Sequence, residues 1–381
     1  MLDLETLRII WWLLIGVLLA GFALTDGFDF GAAILLPFIA RNETEKRIVL
    51  NCIGPVWEGN QVWIILGAGA ILAAWPYVYA VAFSGFYFLI LLLLLTMGIS
   101  RPVSFKYRSK LPQLFWRQCW DHMVFIGGIV PAIIFGLLIG NVILGVPFYF
   151  DNSLRFFYTG SFFDLFSPFA CWCGFTSLAM LIMHGGLYIA IKTDSSLRER
   201  ALFWSRSMAL VFIFLFALGG IWIAYKVHGY WVTSAINTQD FSNPLHKTVV
   251  TGVGAWLTNY QLYPITLSMP ILGFVGAILV CITAYRWSRF AFCCSGLGII
   301  GTIGTVGVSL FPFIIPSSAD LSSSLLVWDT SSSQLTLFLM LIASIIFIPI
   351  ILLYTAWVYR VLAGKVNQAV INKEEEKHTA Y

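Results

Sequence analysis

Nine long apolar stretches govern what this chain can become, at about 8–39, 49–74, 77–100, 122–146, 163–190, 205–226, 264–285, 290–315 and 333–360. Each holds at least the roughly 20 residues that a hydrocarbon layer ~30 Å thick requires. Only 10% of the 381 residues are charged and mean hydropathy is +0.87, whereas soluble domains carry about 25% charged residues. A water-soluble fold is excluded. The expected architecture is an all-α polytopic membrane protein with nine transmembrane helices, an arrangement that permits two four-helix bundles plus one peripheral helix. Residues 1–362 form a single integral membrane domain in this reading, and 363–381 a charged cytoplasmic tail containing Lys373-Glu374-Glu375-Glu376-Lys377. Asp3 and Glu5 precede Arg8, and the first apolar run is too long for a cleavable signal peptide.

Loop charge gives the orientation. Alternate loops hold Arg41, Lys46 and Arg47; Arg101, Lys106, Arg108, Lys110 and Arg117; Lys192, Arg198, Arg200 and Arg206; Arg286 and Arg289; and Arg360, Lys365, Lys373 and Lys377. The opposite side keeps Arg8, Arg155, Lys226 and Lys247. The positive-inside bias therefore predicts a periplasmic N-terminus and a cytoplasmic C-terminus. The excess of basic residues reports topology, and no nucleic-acid partner is implied.

Against this apolar background the acids stand out. Asp26 and Asp29, in Thr25-Asp26-Gly27-Phe28-Asp29, are three positions apart and share one helical face. Glu58 opens the second stretch in Trp57-Glu58-Gly59-Asn60-Gln61. An acid at mid-membrane costs roughly 2.5–3.5 kcal/mol on insertion scales, so it is expected to face protein or a wet cavity rather than lipid. Counting inward from the cytoplasmic ends puts Asp29 and Glu58 both ~15 Å deep and Asp26 ~20 Å deep. Arg101 and Asp121 fall at the cytoplasmic rim. The five residues read as a graded proton route from cytoplasm to midplane. Structural readings stand beside it: Asp26-Gly27 as a helix break, Arg101 as a snorkelling positive-inside residue, and Asp121 as a helix N-cap.

The remaining features carry blander readings. Cys52, Cys119, Cys171, Cys173, Cys281, Cys293 and Cys294 include no CxxC pair and read as small packing residues. Gly298, Gly301, Gly304 and Gly307 form a close-packing stripe. Trp231, Trp256, Tyr260 and Tyr263, in the long outside connection 227–263, read as an interfacial belt. Of His122, His184, His228, His246 and His378, no pair has metal-site spacing. His184 reads as a hydrogen-bonded core residue, with haem ligation as its alternative. No metal site is expected.

Several polar motifs in unusual membrane positions carry a resemblance. Gly21-Phe-Ala-Leu-Thr-Asp-Gly-Phe-Asp-Phe-Gly31, Pro55-Val-Trp-Glu-Gly-Asn-Gln-Val-Trp63, Ala74-Trp-Pro76, Ala82-Phe-Ser-Gly-Phe-Tyr87, Arg101-Pro-Val103 and Tyr107-Arg-Ser109 belong to it. So do Tyr158-Thr-Gly160, Ser242-Asn-Pro-Leu245, Phe311-Pro-Phe313, Pro316-Ser-Ser318, Trp328-Asp-Thr-Ser-Ser-Ser-Gln334 and Ile350-Ile-Leu-Leu-Tyr-Thr-Ala-Trp357. Together they span nearly the whole chain and resemble subunit II of the cytochrome bd-type quinol oxidases.

The resemblance implies a bacterial inner-membrane respiratory enzyme that oxidises quinol and reduces dioxygen to water without pumping protons. Haem b558, haem b595 and haem d are then expected in the partner, subunit I, and none in this chain. It also allows a small single-span accessory subunit and a bound ubiquinone, whose site the sequence does not give. Positions matching Asp29, Glu58 and Arg101 are associated in the family with a proton path. Two departures stand out: Glu58 where relatives often carry Asp, and Lys106 where relatives often carry an acid. The rival readings are a purely structural assembly subunit and a secondary transporter with midplane ion sites. The absence of an evident inverted repeat counts against the latter.

Overall fold

The structure, a computed structural model, describes residues 2–367. The Lys373–Lys377 run and His378 lie outside the described residues. The first helix, α1 (Leu4–Ile39), is capped by the Asp3 carboxylate, which accepts from Thr6 N at 3.1 Å. It runs unbroken through Asp26-Gly27, so the expected break there is not present. Gly31 has a packing role instead: a Cβ on it would lie 2.1 Å from Leu181 O of the facing helix. The bare backbone lets the two helices touch.

The second and third apolar stretches are segmented rather than continuous. Pro55 lacks an N–H and separates α2 (Glu43–Ile53) from α3 (Trp57–Ala74). Beyond Trp75 come α4 (Pro76–Gly85), α5 (Tyr87–Leu93), a π-helical turn at Leu94–Ser100 and α6 (Arg101–Tyr107). Within the π turn, Thr96 Oγ1 donates to Leu92 O at 2.6 Å and Ser100 Oγ to Leu95 O at 2.8 Å. Then follow α7 (Leu114–Leu144), α8 (Pro168–Lys192), α9 (Ser195–Tyr225), α10 (Thr258–Leu262), α11 (Ser268–Thr283), α12 (Ser288–Leu310) and α13 (Gln334–Val361). Among the described residues, 8 helical stretches are long and apolar enough to cross a membrane. The expected ninth, α3, is not one of them, for Glu58, Asn60 and Gln61 fill its first turns.

Helix α1 is the hub and packs on α3, α7, α8 and α12, while α8 also packs on α7 and α9. Helices α11 and α12 meet through glycines: a Cβ on Gly301 would lie 2.3 Å from Gly273 N. Helix α13 lies against α1 and α3 with one fully buried residue, Leu337, whose carbonyl accepts from Trp11 Nε1 at 2.9 Å.

The Leu4 end of the bundle is closed by three antiparallel hairpins: β1 (Phe148–Phe150) with β2 (Phe156–Tyr158), β3 (His228–Val232) with β4 (Val249–Val253), and β5 (Phe313–Ile315) with β6 (Leu325–Leu326). Arg8 is fully buried and clamps the connection around residues 238–242, donating to Thr238 O at 2.6 Å, Asp240 O at 3.0 Å and Ser331 Oγ at 2.7 Å. Lys247 Nζ reaches Asp329 at 2.6 Å. Trp256 and Tyr260 prove to be core residues, Trp256 donating to Ile143 O at 3.0 Å, whereas Trp231 and Tyr263 are exposed. The expected aromatic belt is thus half a core cluster.

Candidate functional site

The site begins at the Ile39 end of the bundle, where α2, α6 and α7 bring opposite charges together. Asp121 lies seven residues after Leu114, the first residue of α7, and so is not an N-cap. It accepts from Arg108 Nε at 2.5 Å and from Lys46 Nζ at 3.0 Å. Glu43 receives Arg108 Nη2 at 2.9 Å and Lys46 Nζ at 3.0 Å. Close by, Arg200 donates to Glu45 at 2.6 Å and to Ile39 O at 2.7 Å, which places a cation at the negative end of α1.

Farther in, Arg101 is completely buried and donates through Nη2 to both oxygens of Asp26, at 2.7 and 2.9 Å. The Phe30 ring lies beneath the guanidinium, 4.5 Å from centroid to Cζ. What admits Arg101 is the absence of a side chain at Gly127 of α7, since a Cβ there would stand 2.8 Å from Arg101 Cβ. Arg101 is therefore level with a point six residues up α7 from Asp121, ~9 Å above the rim. It is a fixed ion-pair partner inside the bundle, not a snorkelling rim residue.

One turn along α1 from Asp26, the fully buried Asp29 accepts from Asn60 Nδ2 at 2.7 Å. Asn60 Oδ1 in turn accepts from Tyr359 OH at 2.6 Å. Among the described residues no donor group reaches Asp29 Oδ1, and Arg101 Nε and Nη1 have no acceptor; the Asp29 and Asp26 carboxyls lie within hydrogen-bonding reach of each other. The two carboxyl groups thus form a pair on one helix face: Asp26 is held by a cation on both oxygens, and Asp29 by the Asn60 amide and by Asp26 itself.

Glu58 does not join them. Its side chain is 61% exposed on the chain surface and lies 3.6 Å from Lys106 Nζ. The reason is helical phase: Glu58 and Asn60 are about 200° apart on α3, so only one of them can face α1. Of the five expected residues, Asp26, Asp29 and Arg101 come together, Asp121 anchors the rim, and Glu58 stands on an outer face. Asn60, Tyr359 and Gly127 are members that sequence reasoning missed.

His184 does not fit a haem ligand. Its Nδ1 contacts Ser295 Oγ at 2.7 Å and its Nε2 contacts Leu24 O at 3.0 Å, while its ring stacks on Phe292 at 4.4 Å. Both nitrogens are engaged, as in a core histidine. Among the described residues no group of three or more His, Cys, Asp or Glu side chains is placed to hold a metal ion.

The family described as "Cytochrome bd terminal oxidase subunit II" matches residues 7–362. The chain belongs to this family. It is 46% identical over 382 residues to "Cytochrome bd-I ubiquinol oxidase subunit 2" of Escherichia coli (strain K12), covering 100% of both chains. It is 29% identical to "Cytochrome bd ubiquinol oxidase subunit 2" of Bacillus subtilis (strain 168), over 95% of this chain and 97% of that one. Its fold matches a chain of the bd oxidase structure from Geobacillus thermodenitrificans with a TM-score of 0.68 at 15% identity, covering 94% of this chain and 98% of that chain. This subunit II is a multi-pass membrane protein of a bacterial respiratory oxidase, an oxidoreductase complex in which it accompanies subunit I.

Proposed function

We propose that this chain is the non-haem subunit of a quinol:dioxygen oxidoreductase in the bacterial cytoplasmic membrane, and that it conducts cytoplasmic protons toward the oxygen-reducing haem of subunit I. Haem b558, haem b595 and haem d reside in subunit I in this reading, and ubiquinol, the quinol in the relatives' names, is the electron donor. The loop charges support a periplasmic N-terminus and cytoplasmic C-terminus, with α3 as the ninth span of a single membrane domain over residues 1–362. The Asp121 rim is then cytoplasmic, and the Leu4 end periplasmic.

The observation that carries the reading is the pattern of engaged and open polar atoms around Asp29. Buried polar groups are nearly always satisfied by protein or by ordered water. Two nitrogens of Arg101, fully buried and without protein partners among the described residues, therefore call for internal water beside the Asp26–Asp29 pair. A carboxylate facing water is what stepwise proton transfer needs. Asp26, held on both oxygens by Arg101, serves as a fixed countercharge, and Asp29 is the exchanging group. Glu58 and Lys106 form an exposed pair on the outer face and in this reading lie toward subunit I, since a charged pair facing acyl chains is costly.

The test is oxygen consumption by the purified complex carrying Asp29→Asn or Glu58→Gln, with haem absorbance followed in the same samples. Slowed turnover with intact haem absorbance supports the reading, and full turnover in both variants defeats it. The second reading, an assembly subunit with no proton path, draws on the complete burial of the Asp26–Arg101 pair, which ties α1 to α6. Lost haem absorbance in Asp29→Asn is its signature.

A further inference from the structure

We propose that Tyr359, on the last helix, is a positioning residue for Asp29: its hydroxyl fixes the Asn60 amide so that the NH2 group meets Asp29 Oδ2. The inference rests on Asp29 being the exchanging carboxylate. An amide has one acceptor end and one donor end of nearly equal shape, so a neighbour has to choose between its two orientations. Here the phenol donates to Asn60 Oδ1 at 2.6 Å, and the opposite end donates to Asp29 at 2.7 Å. Turning the amide over would set its oxygen against a carboxylate oxygen, two acceptors face to face. The other contact of Asn60 Nδ2, with Thr25 O at 3.5 Å, is too long to hold the orientation. Tyr359 supplies that hold.

The phenol is itself held in place. Its ring meets Phe28 edge to face at 6.3 Å, and Phe28 stacks on Tyr188 at 3.9 Å. Helix α13 is pinned at its start by Trp11 on Leu337 O and past its end by Lys192 Nζ, which donates to Leu362 O at 2.6 Å. Between these anchors most of the helix faces outward, and Tyr359 reaches back to a buried acid. A peripheral element thus sets the geometry of an interior group, and displacement of α13 would release Asn60 and with it the amide donor on Asp29.

The experiment uses the purified oxidase with Tyr359→Phe, Asp29→Asn and the two combined. Oxygen consumption is measured against quinol concentration, and infrared difference spectra are recorded in the carboxyl C=O region. Tyr359→Phe is expected to lower kcat about tenfold, the upper scale of one neutral hydrogen bond, with KM for quinol and haem absorbance unchanged. The carboxyl band that Asp29→Asn removes is expected to shift in Tyr359→Phe, and the combined variant to be no slower than Asp29→Asn alone. An unmoved band with full turnover in Tyr359→Phe overturns the inference, while a slow Asp29→Asn variant still upholds the proton reading. Full turnover in Asp29→Asn removes Asp29 as the exchanging carboxylate, and the band shift then decides the positioning role by itself. Should Tyr359→Phe lose haem, Asn60→Ser cuts both links with the tyrosine left in its packing and carries the same expectations.

Discussion

Removing the Asp26–Arg101 pair whole should cost clearly less than the sum of cutting it from each side. The pair spans 2.7 Å with both side chains at 0% exposure, so bulk solvent and salt do not screen it. At an effective dielectric of about 20 the attraction at that distance is ~6 kcal/mol, set against several kcal/mol of desolvation for each ion. Asp26→Asn leaves a guanidinium buried with no countercharge beyond Asp29. Arg101→Gln leaves Asp26 one turn from Asp29 with no cation between them. Either variant alone should destabilise the subunit by about 3–5 kcal/mol. The double variant retains an amide pair able to hydrogen-bond, and should lose about 3 kcal/mol less than the two single losses combined. The assay is an SDS titration in mixed micelles, reading the folded fraction of all four proteins. Single losses that add within about 0.5 kcal/mol would show the two groups to be uncoupled, contradicting the geometry.

Three further outcomes follow from other parts of the fold. Gly31→Ala drives a methyl group into Leu181 O, a backbone atom that cannot swing aside, so α1 and α8 should separate; normal yield and haem content in that variant would count against this packing. Burial pushes the Glu43 carboxyl up, but the Lys46 hydrogen bond and the Arg108 charge outweigh it and hold the group below its ordinary 4.5. A depressed acid stabilises above that value and loses its contribution as pH falls through the lower folded one, so hydrogen exchange in α2 should accelerate as pH falls below 4.5 and not between pH 6 and 8. Burial lowers Lys247 and raises Asp329 even though each faces the other, so the pair is charged at a cost. Asp329→Asn should lower thermal stability by about 3–5 kcal/mol, and adding Lys247→Met should restore most of it; equal losses in both proteins would refute the pairing.

Much of the scaffold was legible in the residues. Apolar length located the membrane helices, because hydrocarbon thickness leaves few alternatives, and the two aspartates on α1 stood out because acids are costly in oil. Segmentation was harder to read. Pro55 and the π turn at Leu94–Ser100 divide stretches whose hydropathy is uniform, and a window average smooths such interruptions away. The error at Glu58 has a definite cause. The polar residues of α3 are spread around its first turns, so its sequence does not say which flank is buried, and the charged residue drew attention from Asn60 two places on. Helical phase excluded having both inward and was the available signal. Tyr359 and Gly127 had none, since one meets Asn60 only through the tertiary fold and the other matters only for the side chain it makes room for. Arg101 looked peripheral because a positive-inside count assigns arginines to loops, whereas a buried carboxylate partner draws this one inward.

The most direct measurement is proton uptake from the cytoplasmic face during a single turnover with dioxygen, comparing the native complex with Asp29→Asn in vesicles of known orientation. The account expects full haem content in the variant and an uptake phase slowed at least about a hundredfold, the scale of losing one acid–base group. Uptake at the native rate, with haem content equally intact, would contradict it.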